Sequence, residues 1–214
     1  MPASESPANV AEGELLVDTA RAVLRERGAA DVTVREVLSR ANLGTRAFYR
    51  HFASKDELVL AVFTDAAARE ADRLARRMAS ASDPVSAVVA WIDGRLQLAF
   101  DRRVSANLQD LSMQARLRRR EAPAELELAY DLMLAPLVAQ LEAGRREGLF
   151  PGVDPGPDAR SIHDVVWGVV ERQWSGFPLR PRPTRDRVVR FCLHAIGAEE
   201  QARDVEATPT RRWR

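Results

Sequence analysis

Five cations lie between residues 35 and 55, namely Arg35, Arg40, Arg46, Arg50 and Lys55, against the single acid Glu36. Tyr49 and His51 stand among them. Side chains of these types neutralise phosphate and hydrogen-bond base edges, which is the chemistry of a nucleic-acid contact rather than of bond making. Patterns for other chemistries are poor. His51, His163 and His194 are far apart in sequence, and none opens a His-x-x-x-His metal pair. No Gly-x-Ser-x-Gly, Walker or dinucleotide-binding glycine pattern is present. Asp158, Asp164 and Glu171 form no recognisable carboxylate site. The single cysteine, Cys192, excludes an intrachain disulfide and a multi-cysteine metal site. Its apolar surroundings over 188–196 suit a buried small hydrophobe. The chain reads as a non-enzyme, with no cofactor and no metal.

What must position the cations is a pair of short helices and the start of a third. Thr33 stands three residues before Glu36, and Ser54 three before Glu57. Both are capping-box spacings, in which hydroxyl and carboxylate satisfy the free N–H groups of a helix start. Between them Ala41-Asn42-Leu43-Gly44 breaks the helical period and Thr45–Phe52 resumes it. A first helix carrying Leu16, Ala20, Val23 and Leu24 ends at Arg27-Gly28. It is expected to pack on Val34, Val37, Leu38, Leu43, Phe48 and Phe52. A compact helix-turn-helix with a basic second helix suits a major groove. The net charge of +1 adds nothing to this; only charges within about 8–10 Å attract a given phosphate at ordinary salt.

The rest of the chain also reads as helical, so the fold class is all-α. The helix begun at Ser54 is expected to reach about Ser80. Asp83-Pro84 supplies an N-cap and first-turn proline for a helix with Val85, Val88, Val89, Trp91, Ile92, Leu96, Leu98 and Phe100. A further helix is expected through Leu108, Leu111 and Met113, and a long one from Pro123 to Gly148. Two final helices are placed at Ala159–Gly176 and Thr184–Gly197, separated by proline-rich loops. Residues 1–12 and 199–214 are expected to be disordered tails. No apolar run approaches the roughly 20 residues of a membrane span, and the N-terminus lacks a signal sequence. A cytoplasmic location without a membrane partner is the expectation.

Residues 13–63 resemble the DNA-binding domain of the TetR family of transcriptional regulators. The family's first helix ends in Glu-Arg-Gly, as Glu26-Arg27-Gly28 does here. Thr33-Val34-Arg35-Glu36-Val37 matches its second helix, Phe48-Tyr49-Arg50-His51-Phe52 its recognition helix, and Ser54-Lys55-Asp56-Glu57-Leu58 the opening of its fourth. The resemblance implies a helix-turn-helix domain over 13–60 and a larger helical effector-binding and dimerisation domain over 61–198. It implies contacts to double-stranded DNA by Thr33, Arg35, Thr45, Arg46, Ala47, Tyr49, Arg50, His51 and Lys55. Thr33, Tyr49, His51 and Lys55 correspond to phosphate-touching positions; Arg35, Thr45 and Arg46 correspond to positions that reach bases, and Arg50 to a variable position open to a base or a phosphate. Where the family often has threonine this chain has Ala47, whose methyl is a candidate contact to thymine. Gly44 replaces a common capping serine, so Thr45 is expected to cap.

The implied function is a homodimeric repressor released from a palindromic operator by a small-molecule effector. Ligand-pocket candidates are Trp91, Arg95, Leu98, Phe100, Leu111, Met113, Met133, Leu137, Trp167 and Glu171. Candidates for the dimer interface are Ile162, Val166, Val169, Val170, Val189, Leu193 and Ile196, on two apolar stripes near the end of the chain. Two alternatives stay open: a regulator of the same fold without an effector, and a helical dimeric small-molecule or lipid-binding protein that no longer binds DNA.

Overall fold

The structure is a computed structural model that describes residues 7–27, 32–101 and 123–198. These residues form eight α-helices and no strand: α1 (Pro7–Arg27), α2 (Val34–Ala41), α3 (Thr45–His51), α4 (Lys55–Met78), α5 (Pro84–Phe100), α6 (Pro123–Arg146), α7 (Pro155–Trp174) and α8 (Pro181–Ala195). They divide into two compact units. One holds the described residues through Ala68 together with the start of α6 to Tyr130. The other holds 69–101 and 131–198. The boundary expected after residue 60 therefore falls inside α4, a continuous 24-residue helix with no linker in it.

In the first unit the helical period of α1 places Leu16, Ala20, Val23 and Leu24 on one face. They bury together with Val32, Val37, Leu38, Phe48, Phe52, Leu58 and Val62, while Val34 and Leu43 pack against the edge. Each such side chain contributes about 1.5–3 kcal/mol when fully withdrawn from water. That is the force holding the two short helices α2 and α3, which are too short to persist alone. An ion pair from Arg21 to Asp65, at 2.5 Å, adds a tie between α1 and α4. On the α6 portion of this unit, Tyr130 meets Phe63 edge-on, with ring centres 6.3 Å apart.

In the second unit α5 is the central element. Trp91, Ile92 and Leu96 are completely buried, and even its Asp93 and Arg95 are withdrawn from solvent. The Arg185 guanidinium of α8 donates to both carboxylate oxygens of Asp93, at 2.8 and 3.2 Å. That buried pair ties α8 to α5. Gly94 is needed where α4 crosses: a Cβ there would stand 2.7 Å from a methyl of Leu74.

Several helix starts lie earlier than the sequence predicts. α1 begins at Pro7, inside the expected tail 1–12; α7 begins at Pro155 and α8 at Pro181. Each opens with proline, which lacks only an N–H that no first-turn residue uses and whose φ already suits a helix. The proline-rich segments were thus partly helix starts rather than loops.

Candidate functional site

The helix-turn-helix is fixed by local hydrogen bonds. Thr33 is extended (φ −119, ψ 145) and its hydroxyl accepts from the Glu36 N–H at 3.2 Å. The reciprocal half of that capping box is not made. The Glu36 carboxylate accepts instead from Arg40 at 2.9 Å and pairs with Arg27 at 3.3 Å, because two guanidiniums outbid one amide for it. α2 closes on Asn42, whose backbone is left-handed (φ 54, ψ 41) and whose N–H reaches the carbonyls of Leu38 and Ser39. Asparagine is among the few side chains that tolerate this region. Gly44, extended at φ −87, is the N-cap of α3 and supplies no side-chain bond. Thr45 is the first helical residue, so it does not cap as expected: a cap must precede the helix with non-helical dihedrals. At α4, Ser54 Oγ accepts from the Glu57 N–H at 3.1 Å while the Glu57 carboxylate accepts from the Ala53 N–H at 2.6 Å.

This frame sorts the nine residues expected at DNA. Thr33, Arg35, Thr45, Arg46 and Tyr49 are exposed, Tyr49 at 65%. Its ring stands edge-on to Phe48, centres 5.3 Å apart; Phe48 itself is buried, so the ring is propped outward from the core. Arg27, Thr33, Arg35, Ser39 and Arg40 line one shallow depression with Glu36. Lys55 begins α4, half-buried. Neither Arg35, Arg46 nor Lys55 is met by an acid among the described residues.

Ala47 is a correction. It is buried beside Phe48, on the inner face of α3, and its methyl cannot meet a thymine. Arg50 and His51 are not free arms either. The Arg50 guanidinium donates to Glu12 of α1 at 2.9 and 3.2 Å, and His51 Nε2 lies 2.9 Å from the same carboxylate. The His51 side chain is only 12% exposed and lies against Gly13. Glu12 was missed because its partners are 38 and 39 residues away, beyond any local pattern.

The second unit gathers four of the ten pocket candidates. Trp91 and Arg95 lie one turn apart on α5, and Trp167 and Glu171 one turn apart on α7. Arg95 sits over the Trp167 ring, 5.1 Å from its centre, and donates to Glu70 at 2.9 Å. The Trp167 N–H donates to Glu171 at 2.8 Å. His163, Trp174 and Glu70 complete the group and were not predicted. His163 stacks on Trp167 at 6.0 Å and meets Trp91 edge-on at 6.3 Å. Trp174 meets Trp167 at 5.4 Å and donates to the Leu98 carbonyl at 3.2 Å. The available signal was spacing: 163, 167, 171 and 174 share one helix face.

Of the other candidates, Leu98 and Phe100 are half-buried on α5, Met133 and Leu137 are buried on α6, and Leu111 and Met113 lie outside the described residues. Charge in the cluster is settled by its surroundings. Burial drives the His163 imidazole down to about 3, with the cations Arg95 and Arg160 adding to the effect, so the ring is neutral near pH 7. Burial would raise the Glu70 carboxyl, but hydrogen bonds and charge from Arg73 and Arg95 outweigh it and hold it below its ordinary value. The Trp91 indole N–H is buried and meets no acceptor among the described residues, which is costly in a core.

The expected dimer residues need correction. Ile162, Val166 and Val170 of α7, and Val189, Leu193 and Ile196 at α8, are buried within their own chain, so they cannot touch a second one. Only Val169 is half-exposed. The outward faces carry other residues: Ser161, Asp164, Gly168 and Arg172 on α7, and Arg187, Arg190, Phe191 and His194 on α8. Phe191 is 59% exposed.

Residues 16–62 match the family described as bacterial regulatory proteins, tetR family. Over 195 residues, covering 89% of this chain and 95% of the relative, the sequence is 27% identical to the HTH-type transcriptional repressor KstR2 of Mycobacterium tuberculosis. The fold is similar to that of RolR in complex with resorcinol, with a TM-score of 0.66 at 17% identity, covering 98% of this chain and all of that one. It is also similar to the transcriptional regulator FadR of Bacillus subtilis in complex with stearoyl-CoA, with a TM-score of 0.64 at 15% identity, covering 86% and 98%. At those identities the likeness is one of fold.

Proposed function

We propose that this chain is a TetR-family transcriptional regulator that works as a homodimeric repressor whose hold on a palindromic operator is released by a small molecule in the second unit. The observation that carries the DNA half of this reading is the outward set on α2 and α3. Arg35, Arg46 and Tyr49 project from a turn whose core residues are fully buried. In such a frame the N-terminal turn of α3 enters the major groove, with Thr45 and Arg46 leading. Arg35 reaches a base edge from α2, while Thr33, Tyr49 and Lys55 take phosphates. An arginine pairing with both acceptors of guanine supplies about 1–3 kcal/mol of discrimination.

Two recognition helices related by a two-fold axis read half-sites about 34–36 Å apart. The dimer surface in this reading is the outward face of α7 and α8, with Phe191 as its apolar anchor. Gly168 leaves room there, since a Cβ would meet nothing within 4 Å.

For the effector, the supporting feature is the tryptophan and histidine group around Arg95. Aromatic walls with few polar groups characterise small-molecule sites, and the buried Trp91 N–H suits a ligand that brings an acceptor oxygen. The solved relatives named above hold resorcinol and stearoyl-CoA, both of which carry such oxygens. An effector that moves occupancy from 1:99 to 99:1 must prefer the non-binding conformer by about 5.5 kcal/mol.

The test is an electrophoretic shift with duplex DNA flanking the chain's own gene, repeated with added phenols and acyl-CoA thioesters. A shifted band abolished by one of these supports the whole reading. A shift that no such compound alters removes the effector half, and no shift on any duplex at low salt removes the DNA half.

A further inference from the structure

We propose that Glu12 and Glu26 of α1 set the DNA selectivity of this protein by withholding two arginines of the helix-turn-helix from phosphate. The inference rests on the DNA-binding reading above. Five cations occupy 35–55, but the structure divides them. Arg50 donates two hydrogen bonds to Glu12, at 2.9 and 3.2 Å. Arg40 donates to Glu26 at 2.6 Å and to Glu36 at 2.9 Å. Arg35, Arg46 and Lys55 are met by no acid among the described residues. Three cations are therefore available to DNA without breaking a contact, and two are not.

Stability does not account for this arrangement. Exposed ion pairs contribute little to folding, and Arg50 keeps 54% of its side-chain surface exposed. α1 is already held by Leu16, Ala20, Val23 and Leu24 in the core and by Arg21 on Asp65. Effects on DNA are another matter, because each neutralised phosphate changes affinity for every sequence alike. Glu12 is also held in place. His51 Nε2 lies 2.9 Å from the carboxylate oxygen that Arg50 uses, and His51 is largely buried. When Arg50 turns to a phosphate, the carboxylate stays behind on His51 as a negative charge that has lost its arginine. That penalty is common to all sequences, so it lowers binding to random DNA and leaves discrimination to Arg35 and Arg46.

The test is the salt dependence of binding to random-sequence duplex DNA, by fluorescence anisotropy, on the full chain. Glu12→Gln, which preserves shape, should steepen the slope of log K against log salt by about 0.9 per subunit. At physiological salt the same relation raises affinity for random DNA roughly five-fold per subunit. The double variant Glu12→Gln/Arg50→Ala should return to the wild-type slope. Glu26→Gln should move in the same direction but less, because Glu36 remains on Arg40; it carries the test if Glu12→Gln does not fold. A wild-type slope in both single variants overturns the proposal, as does a double variant as steep as Glu12→Gln. If the wild-type protein binds no duplex even at low salt, the DNA-binding reading fails instead, which is a distinguishable result.

Discussion

Replacing His163 by glutamine should remove most of the protein's loss of stability between about pH 7.5 and about pH 5. His163 is enclosed by Trp91 and Trp167, and burial together with Arg95 and Arg160 pushes it from 6.5 down to about 3. A histidine depressed in the folded state takes up its proton only on unfolding through this range. Stability is therefore complete above 6.5 and is lost as pH falls from 6.5 toward about 3. With those two values, linkage gives RT ln[(1 + 10^1.5)/(1 + 10^−2)], or about 2 kcal/mol lost at about pH 5. Most carboxylates remain ionised there, so they add little. The assay is urea unfolding of wild type and the variant His163→Gln at both pH values, taking the difference of differences so that any loss of ring stacking cancels. A variant that loses as much stability as wild type on acidification refutes the assignment of the depressed group to His163.

Other consequences follow from named contacts. Asp93→Ala leaves the buried Arg185 guanidinium with Asp186 alone, at 3.2 Å, and should cost up to about 3–5 kcal/mol in the same unfolding assay, while Asp93→Ala/Arg185→Met should recover much of it. Phe191→Asp should weaken the dimer by roughly two to four orders of magnitude in Kd, since two rings each worth about 1.5–3 kcal/mol leave the interface; analytical ultracentrifugation reads this, and an unchanged dimer would remove the outward face of α8 from the interface. Lys55→Ala should flatten the salt slope of DNA binding by about one unit per subunit and weaken specific and random DNA alike. A change in sequence preference alone would contradict its assignment to phosphate.

How far the sequence revealed this arrangement depends on the range of the interactions. Whatever rests on contacts within a turn or two was readable. The core positions Val37, Leu38, Phe48 and Phe52 follow from helical period, and the caps at Thr33, Ser54 and Asp83 from spacing, each with its bond in place. What depends on distant partners was not. Glu12 looked like part of a polar tail until α1 placed it on Arg50 and His51. Apolar stripes on α7 and α8 showed that Ile162, Val166 and Leu193 must be covered, but periodicity does not say whether by the same chain or another. The answer is their own chain, and the outward faces have too mixed a composition to stand out. His163 was passed over as a lone histidine because its neighbours Trp91 and Trp167 are brought to it by two different helices.

The central claim is that α2 and α3 present a sequence-reading surface, used twice by a symmetric dimer. Selection of tight-binding duplexes from a random library measures this most directly. The account predicts an enriched two-fold symmetric motif with half-sites about one helical turn, or a multiple of it, apart. It also predicts that Arg35→Ala and Arg46→Ala each relax preference at particular base pairs, by about 1–3 kcal/mol at the cognate base. Absence of any enriched motif, or a uniform loss across all sequences in both arginine variants, would contradict it.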